Sequence, residues 1–337
     1  MILVTGGTGL VGSHLLYQLT KTEPKVKALF RNKDKIASVK HVFSYYTNNV
    51  EDQFAKINWV EGDITDIPSL NNAFKNVSKV YHCAAFISFD VRDYHKLRQV
   101  NIEGTANVVN TCLAHNVDKL CYVSSIAATG KPENNSPITE STTWNPEASH
   151  SVYAITKYGG EMEVWRGTQE GLNAIIVNPG VIIGPGYWKS GSGSLIRFVY
   201  KGVKRYTEGV GGYVDIFDVV NPMIKLMGSS TNNERFILVS KNISYKEFFT
   251  KIANHLDVNP PSKNTSKTLL AVAWRLDWLR AHFRGKRRRL TKHTAKSLIT
   301  KSIYSNKKVI DTLDYSFKSI DDSITEVCQL FLKDVKA

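Results

Sequence analysis

Apolar residues gather into short runs that recur through the first 180 positions. The segments "ILVTG" (2–6), "VKALF" (26–30), "INWVEG" (57–62), "KVYHCAA" (79–85), "KLCYVSS" (119–125) and "NAIIVNP" (173–179) read as strands. Most are apolar on both faces, which is the pattern of a sheet covered on both sides. Amphipathic stretches lie between them, notably 93–116 and 151–170, and read as helices. Strands alternating with helices predict a parallel sheet with right-handed crossovers. The expected fold is therefore α/β, a Rossmann-type doubly wound sheet.

The rhythm changes after about residue 180. "GPGYWKSGSGS" (184–194) reads as a loop, and "RFILVS" (235–240) as one more strand. From "YKEFF" onward the chain reads as mostly helical, with breaks at Pro260–Pro261 and Gly285. We expect the sheet domain over 1–178, with 215–240 returning to it. A smaller, mostly helical lobe would be built from 179–214 and 241–337 and would shape a substrate pocket. No internal repeat or low-complexity segment is evident.

Composition narrows the class. The chain has 337 residues and 42% apolar content, enough for a sizeable core. Its four cysteines (Cys83, Cys112, Cys121, Cys328) are widely spaced and form no CxxC pair, so a disulfide framework or zinc site is not expected. No apolar run approaches the roughly 20 residues of a membrane span. "MILVTGG" has no basic n-region, and the expectation is a soluble cytoplasmic protein.

The net charge of +14 is uneven: residues 251–337 hold eighteen Lys and Arg against eight Asp and Glu. Much of the excess lies in "RGKRRRLTKHTAK" (284–296). Such a run suits an anionic partner or is simply a solvated basic helix end. The second reading is the simpler, and nucleic acid is not expected as a partner. Just before it, "TLLAVAWRLDWLRAHF" (268–283) places Leu270, Trp274, Trp278 and Leu279 at helical spacing, with Arg275, Asp277 and Arg280 between. We read a helix packed over the pocket. The alternative is an amphipathic helix that, with "KRRR", touches an anionic membrane.

The candidate chemistry begins at "VTGGTGLVGSHLL" (4–16), where Gly6, Gly9 and Gly12 have the spacing GxxGxxG between the first strand and first helix. Missing Cβ atoms there allow a tight turn, close approach of a pyrophosphate and close helix–strand packing, while the helix N-terminus offers free N–H groups. Gly6, Thr8, Gly9, Leu10, Val11 and Gly12 are the candidate cofactor-loop residues. The second strand ends "ALFRNKDK", with Arg31 where an acid would bind a ribose 2′-hydroxyl. Arg31, with Lys33 or Lys35, suits a 2′-phosphate, which favours NADP over NAD. In "EGDITD", Asp63 is placed to accept from an adenine amino group with Ile64 against the ring; Asp66 better fits the cap of the following helix.

A tyrosine four residues before a lysine occurs four times: Tyr17/Lys21, Tyr153/Lys157, Tyr200/Lys204 and Tyr304/Lys308. Chance alone predicts about 1.4 such pairs. Only Tyr153/Lys157 lies between the fifth and sixth strands, near the sheet edge where ligands of open α/β sheets bind. Residues i and i+4 share a helix face, so phenol and ammonium can serve one pocket. A nearby cation would lower the tyrosine pKa toward neutrality. Ser124 and Ser125 end the fifth strand and can polarise a substrate oxygen.

With these motifs in place, residues 1–190 resemble the extended short-chain dehydrogenase/reductases, also called the NAD-dependent epimerase/dehydratase family. The resemblance runs through "TGGTGLVG", "GDITD", "HCAA", "VNIEGTANV", "YVSSIAATG", "YAITKYGGE" and "NPGVIIGPG", in that order. It implies a catalytic set of Ser125, Tyr153 and Lys157, with Ser125 favoured over Ser124 as the last of its run. It also implies that Ala84 and Ala85 line the adenosine side, that Pro179, Gly180, Val181 and Ile182 lie along the nicotinamide, and that the chain pairs as a homodimer. Asn101 resembles the family's helix-four asparagine, or is a polar residue packed near strand four. "NPGVIIGPG" is similar to the dihydroflavonol and aldehyde/ketone reductase branch, although "HSVY" replaces that branch's plant-type "NWY". The expected activity is hydride transfer between NADP(H) and a small hydrophobic alcohol/carbonyl substrate. The alternative is a nucleotide-sugar epimerase/dehydratase with recycled bound NAD. His150 reads as a cap or surface residue, or as a substrate contact.

Overall fold

A computed structural model describes residues 1–132, 136–284, 288 and 290–336. Seven parallel strands form the main sheet. Six are β1 (Ile2–Thr5), β2 (Val26–Phe30), β3 (Ile57–Glu61), β4 (Lys79–His82), β5 (Lys119–Val123) and β6 (Ala174–Pro179). The seventh, Glu234–Leu238, pairs with β6, and the spatial order from that edge is seventh, β6, β5, β4, β1, β2, β3. The order reverses between β1 and β4, so a crevice opens above their C-terminal ends.

Side-chain alternation along each strand feeds two cores. Val4, Ile175 and Val177 face the layer of helices Leu10–Thr22, Ile36–Ser44 and Phe217–Gly228. Leu3, Val80, Leu120, Tyr122 and Ile176 face helices Gly104–Ala114 and Val152–Gln169. β6 is buried at every position, as a strand covered on both faces must be. Asp66 caps helix Ile67–Ala73 by accepting from Ser69 N at 3.2 Å.

The stretch 93–116 is helical without a break from Tyr94 to Ala114, with a π-helical turn, Gln99–Glu103, inside it. One expectation about elements needs correction: the lobe is less helical than its composition suggests. Val181–Ile183, Val210–Asp215 and Lys241–Ser244 form a three-stranded sheet, and Arg205–Tyr206 pairs with Lys263–Asn264. These strands escape a reading by periodicity because they are short and "VGGYVD" carries two glycines. Gly212 is needed there, since a Cβ would stand 2.8 Å from Val239. The lobe closes over its own core, where Tyr213 stacks on Phe248 at 4.2 Å beside Ile252 and Phe331.

The helix Lys267–Arg284 forms, but its packing differs from expectation. Leu270 alone is buried; Trp274 is half-buried, and Trp278 and Leu279 are exposed. The four cysteines carry free thiols, three of them buried. Of the basic run 284–296, residues 285–287 and 289 lie outside the described residues. Among the described residues no helix is long and apolar enough to cross a membrane.

Candidate active site

The turn after β1 is as tight as its glycines allow. Gly6 has φ +68°, and a Cβ there would lie 2.5 Å from Ala84 N. A Cβ on Gly12 would lie 2.2 Å from the Gly6 carbonyl oxygen. Gly9 differs: it caps the helix Leu10–Thr22 with no side-chain cap, and the space beyond it is nearly open. Gly9, immediately before the helix, lines a cleft of about 500 Å³. That cleft is lined by Gly6, Thr8, Gly9, Arg31, Lys35, Asp63, Ile64, Ala84 and Ala85, among others. Its donors and Cβ-free walls fit the pyrophosphate of a dinucleotide. Leu10 and Val11 are partly buried, packed against the core beneath the loop.

At the end of β2, Arg31 Nη1 stands 3.3 Å from Asp63 Oδ2, with the guanidinium more than half exposed. Burial would raise the Asp63 pKa. Two hydrogen bonds from Thr65, N–H and hydroxyl at 2.9 Å each, and the Arg31 charge together hold it below the usual value. Lys35, not Lys33, joins the cleft wall. Ile64 is buried, and its carbonyl accepts from Asn107 Nδ2 at 3.0 Å.

Tyr153 and Lys157 occupy the first turns of helix Val152–Gln169, which Ser151 caps by accepting from Ala154 N at 3.1 Å. Lys157 is buried and donates to the Tyr122 hydroxyl and the Val123 carbonyl, both at 2.8 Å. Its ammonium also lies 4.3 Å from the Tyr122 ring centroid. Burial pulls the Lys157 pKa down to about 7, and the nearby Glu161 carboxylate opposes this. Tyr153 departs from the expectation that lysine would depress it. Burial pushes the phenol up to about 12, and hydrogen bonding with the Ser125 hydroxyl only partly offsets the rise. That upward shift favours the protonated phenol. Lys157 directs its hydrogen bonds to the Tyr122 hydroxyl and the Val123 carbonyl of β5.

The two serines separate clearly. The Ser124 hydroxyl is buried beside Glu161. Ser125 is partly exposed, its hydroxyl accepts from Ala127 N at 3.1 Å, and it reaches Tyr153. Beneath Lys157, fully buried Glu161 accepts from Asn178 Nδ2 at 2.7 Å and lies 3.9 Å from Arg235. Burial raises the Glu161 pKa.

Asn101 is a clamp. Its amide exchanges two hydrogen bonds with the Phe86 backbone, at 2.8 and 2.9 Å, and donates to Thr156 Oγ1 at 3.2 Å. It ties the loop after β4 to the helix of Tyr153, and the π turn aims it there. On that loop, Phe89 packs edge-on against Tyr153 at 5.5 Å. His150 stacks on Trp144 at 3.7 Å and bonds the Asn145 carbonyl. Pro179 is buried in β6; a Cβ on Gly180 would meet Gly212 O at 2.5 Å; Val181 and Ile182 are partly buried at the junction of the two sheets.

The other Tyr/Lys pairs go elsewhere. Lys21 lies over the buried Tyr17 ring, Lys308 pairs with Glu234, and Tyr200 is exposed on the lobe. Sequence reasoning missed Tyr122, which looks like an ordinary core aromatic, and Tyr187, whose hydroxyl donates to Thr8 O at 3.0 Å from within a Gly/Ser-rich loop.

The profile of the NAD-dependent epimerase/dehydratase family matches residues 2–239. A putative dihydroflavonol 4-reductase of Synechocystis sp. is 28% identical over 279 residues, covering 80% of this chain and 77% of its own. Sterol demethylase protein B of Methylococcus capsulatus is 28% identical over 243 residues, covering 71% of this chain and 70% of its own. The crystal structure of gox2253 superposes with a TM-score of 0.82 at 26% identity, covering 99% of this chain and 98% of that one.

Proposed function

The chain belongs to the NAD-dependent epimerase/dehydratase family and is an oxidoreductase-type enzyme, and we propose that it is an NADP-linked reductase of a hydrophobic carbonyl compound. The observation that carries this reading is the placement of the Tyr153 phenol beside the Ser125 hydroxyl and against Phe89. A nicotinamide dinucleotide, when bound, supplies the hydride for reduction and accepts it in the reverse direction. Ser125 and Tyr153 hold the substrate oxygen. Tyr153 donates its proton to that oxygen in reduction and recovers it in oxidation. Lys157, one helical turn on, places positive charge behind the phenolate that forms.

Arg31 and Lys35 hold the 2′-phosphate, because β2 ends without an acidic residue and both cations line the cleft. The glycine loop and the N-terminus of the first helix take the pyrophosphate. Apolar substrates are favoured by the loop after β4, where Ile87, Phe89 and Val91 stand exposed. The 28% identity to the putative dihydroflavonol 4-reductase and to sterol demethylase protein B supports an apolar ring-bearing substrate class.

The test is a titration of the purified protein with NADPH and NADH, with an assay for any dinucleotide retained through purification. Tighter NADPH binding to an empty site, followed by turnover in a screen of apolar ketones and aldehydes, is the expected result. Retained NAD that resists displacement, with turnover of nucleotide sugars, overturns it.

A further inference from the structure

The helix Lys267–Arg284 is apolar on two opposite sides. One side carries Leu270 and Trp274 and packs on the protein body. On the other, Leu269, Val272, Leu276, Leu279 and Phe283 follow one another at intervals of three and four residues, and all five are exposed, Leu276 at 59% and Phe283 at 80%. At 100° per residue they fall within one stripe about 21 Å long. Nothing among the described residues covers it. Monomeric surfaces carry scattered apolar residues, but an aligned stripe needs an occupant.

Charge selects among occupants. Between 267 and 296 the chain has ten Lys and Arg and a single acid, Asp277. That acid is engaged with Arg280 at 2.7 Å and with Leu290 N at 3.0 Å. Arg275 and Arg280 flank the stripe on either side of the helix. A second copy of this chain seated on the stripe would bring like charges together. An anionic bilayer takes both features at once: apolar side chains enter the acyl boundary while cations meet the headgroups. A second apolar cluster adjoins the same segment. Ile87, Phe89 and Val91 are exposed on the loop whose Asp90 carboxylate accepts the Arg288 backbone N–H.

We propose that the helix Lys267–Arg284, with the basic segment after it, docks this protein on the surface of an anionic membrane. The docking is peripheral and independent of catalysis. The Phe89 loop is tied to that basic segment through Asp90 and the Arg288 backbone.

The experiment is flotation of the full chain with phosphatidylcholine vesicles, with and without phosphatidylserine, at low and high salt. Sedimentation velocity without lipid accompanies it. We expect flotation with phosphatidylserine vesicles only, weakened by high salt. The double variant L276E/F283E changes exposed positions, and its folding is checked by its thermal midpoint. It should lose more than about tenfold in vesicle partition. Absence of flotation at low salt overturns the proposal, as does flotation unchanged in the variant. A wild-type dimer that L276E/F283E converts to monomer assigns the stripe to a second copy and overturns it equally.

Discussion

Lys157 holds the Tyr122 hydroxyl at 2.8 Å. The lysine is therefore anchored to β5, through that hydroxyl and the Val123 carbonyl. Replacing Tyr122 by Phe keeps the ring beneath the ammonium and removes one acceptor. Y122F should lower stability by about 1 kcal/mol and reduce kcat several-fold while leaving the affinity for NADPH intact. Thermal denaturation and steady-state kinetics measure the two effects. An unchanged kcat would show that the anchor has no part in turnover.

Tyr153 is the proton donor of the proposed mechanism. Tyr153→Phe should cost about 10²–10⁴ in kcat, with dinucleotide binding preserved because the cleft wall does not include the phenol. Fluorescence titration and single-turnover reduction together test this. Substantial residual turnover would refute the assignment.

Arg31 should discriminate between the two dinucleotides. A charge-assisted contact is worth about 1.5–3 kcal/mol, so Arg31→Ala should weaken NADPH by roughly tenfold to a hundredfold and NADH little. The measurement is a pair of dissociation constants for each protein. Equal losses would remove the 2′-phosphate from the role of Arg31.

Lys157 gives a pH dependence with a definite sign. Its pKa in the folded chain is about 7, against 10.5 for the free side chain, because burial disfavours the ammonium. Between those values the unfolded chain carries a proton that the folded chain does not, so this group makes stability rise with pH there. Lys157→Met should remove that rise, as seen in thermal midpoints compared across the window. In catalysis, the Lys157 cation is lost as pH increases, so kcat/KM for reduction should decline through about pH 7. Glu161→Gln removes an anion that favours the ammonium, and the decline should move to lower pH. A profile that Glu161→Gln leaves in place would separate Lys157 from the observed titration.

Much of this site can be read from residue types because a few positions tolerate only one solution. Gly6 and Gly12 leave no room for a Cβ, and a loop with that requirement announces itself by spacing. The strands of the main sheet are equally plain, since burial on both faces forces near-continuous apolar runs. Roles that depend on a distant partner stay hidden. Tyr122 sits in an apolar strand, and nothing local tells that its hydroxyl meets a lysine 35 residues away. Tyr187 meets Thr8 across 179 residues of chain. The pKa of Tyr153 follows from its burial, not from the spacing of the pair. The outer stripe of the helix Lys267–Arg284 was concealed by the inner one, because two opposed apolar faces nearly cancel as a pattern.

The pairing of Glu234–Leu238 with β6 also bears on biosynthesis. As the chain leaves the ribosome, β6 emerges with one edge unpaired and one face still lacking the helix Phe217–Gly228. The helix begins 38 residues after β6 ends and the strand 55, once only the first part of the lobe has been translated. A nascent chain halted near residue 200 would present an unpaired edge on a largely apolar strand, the kind of surface that chaperones shield and aggregates recruit. The order of segments along the gene thus leaves β6 as an open edge until the strand Glu234–Leu238 is made.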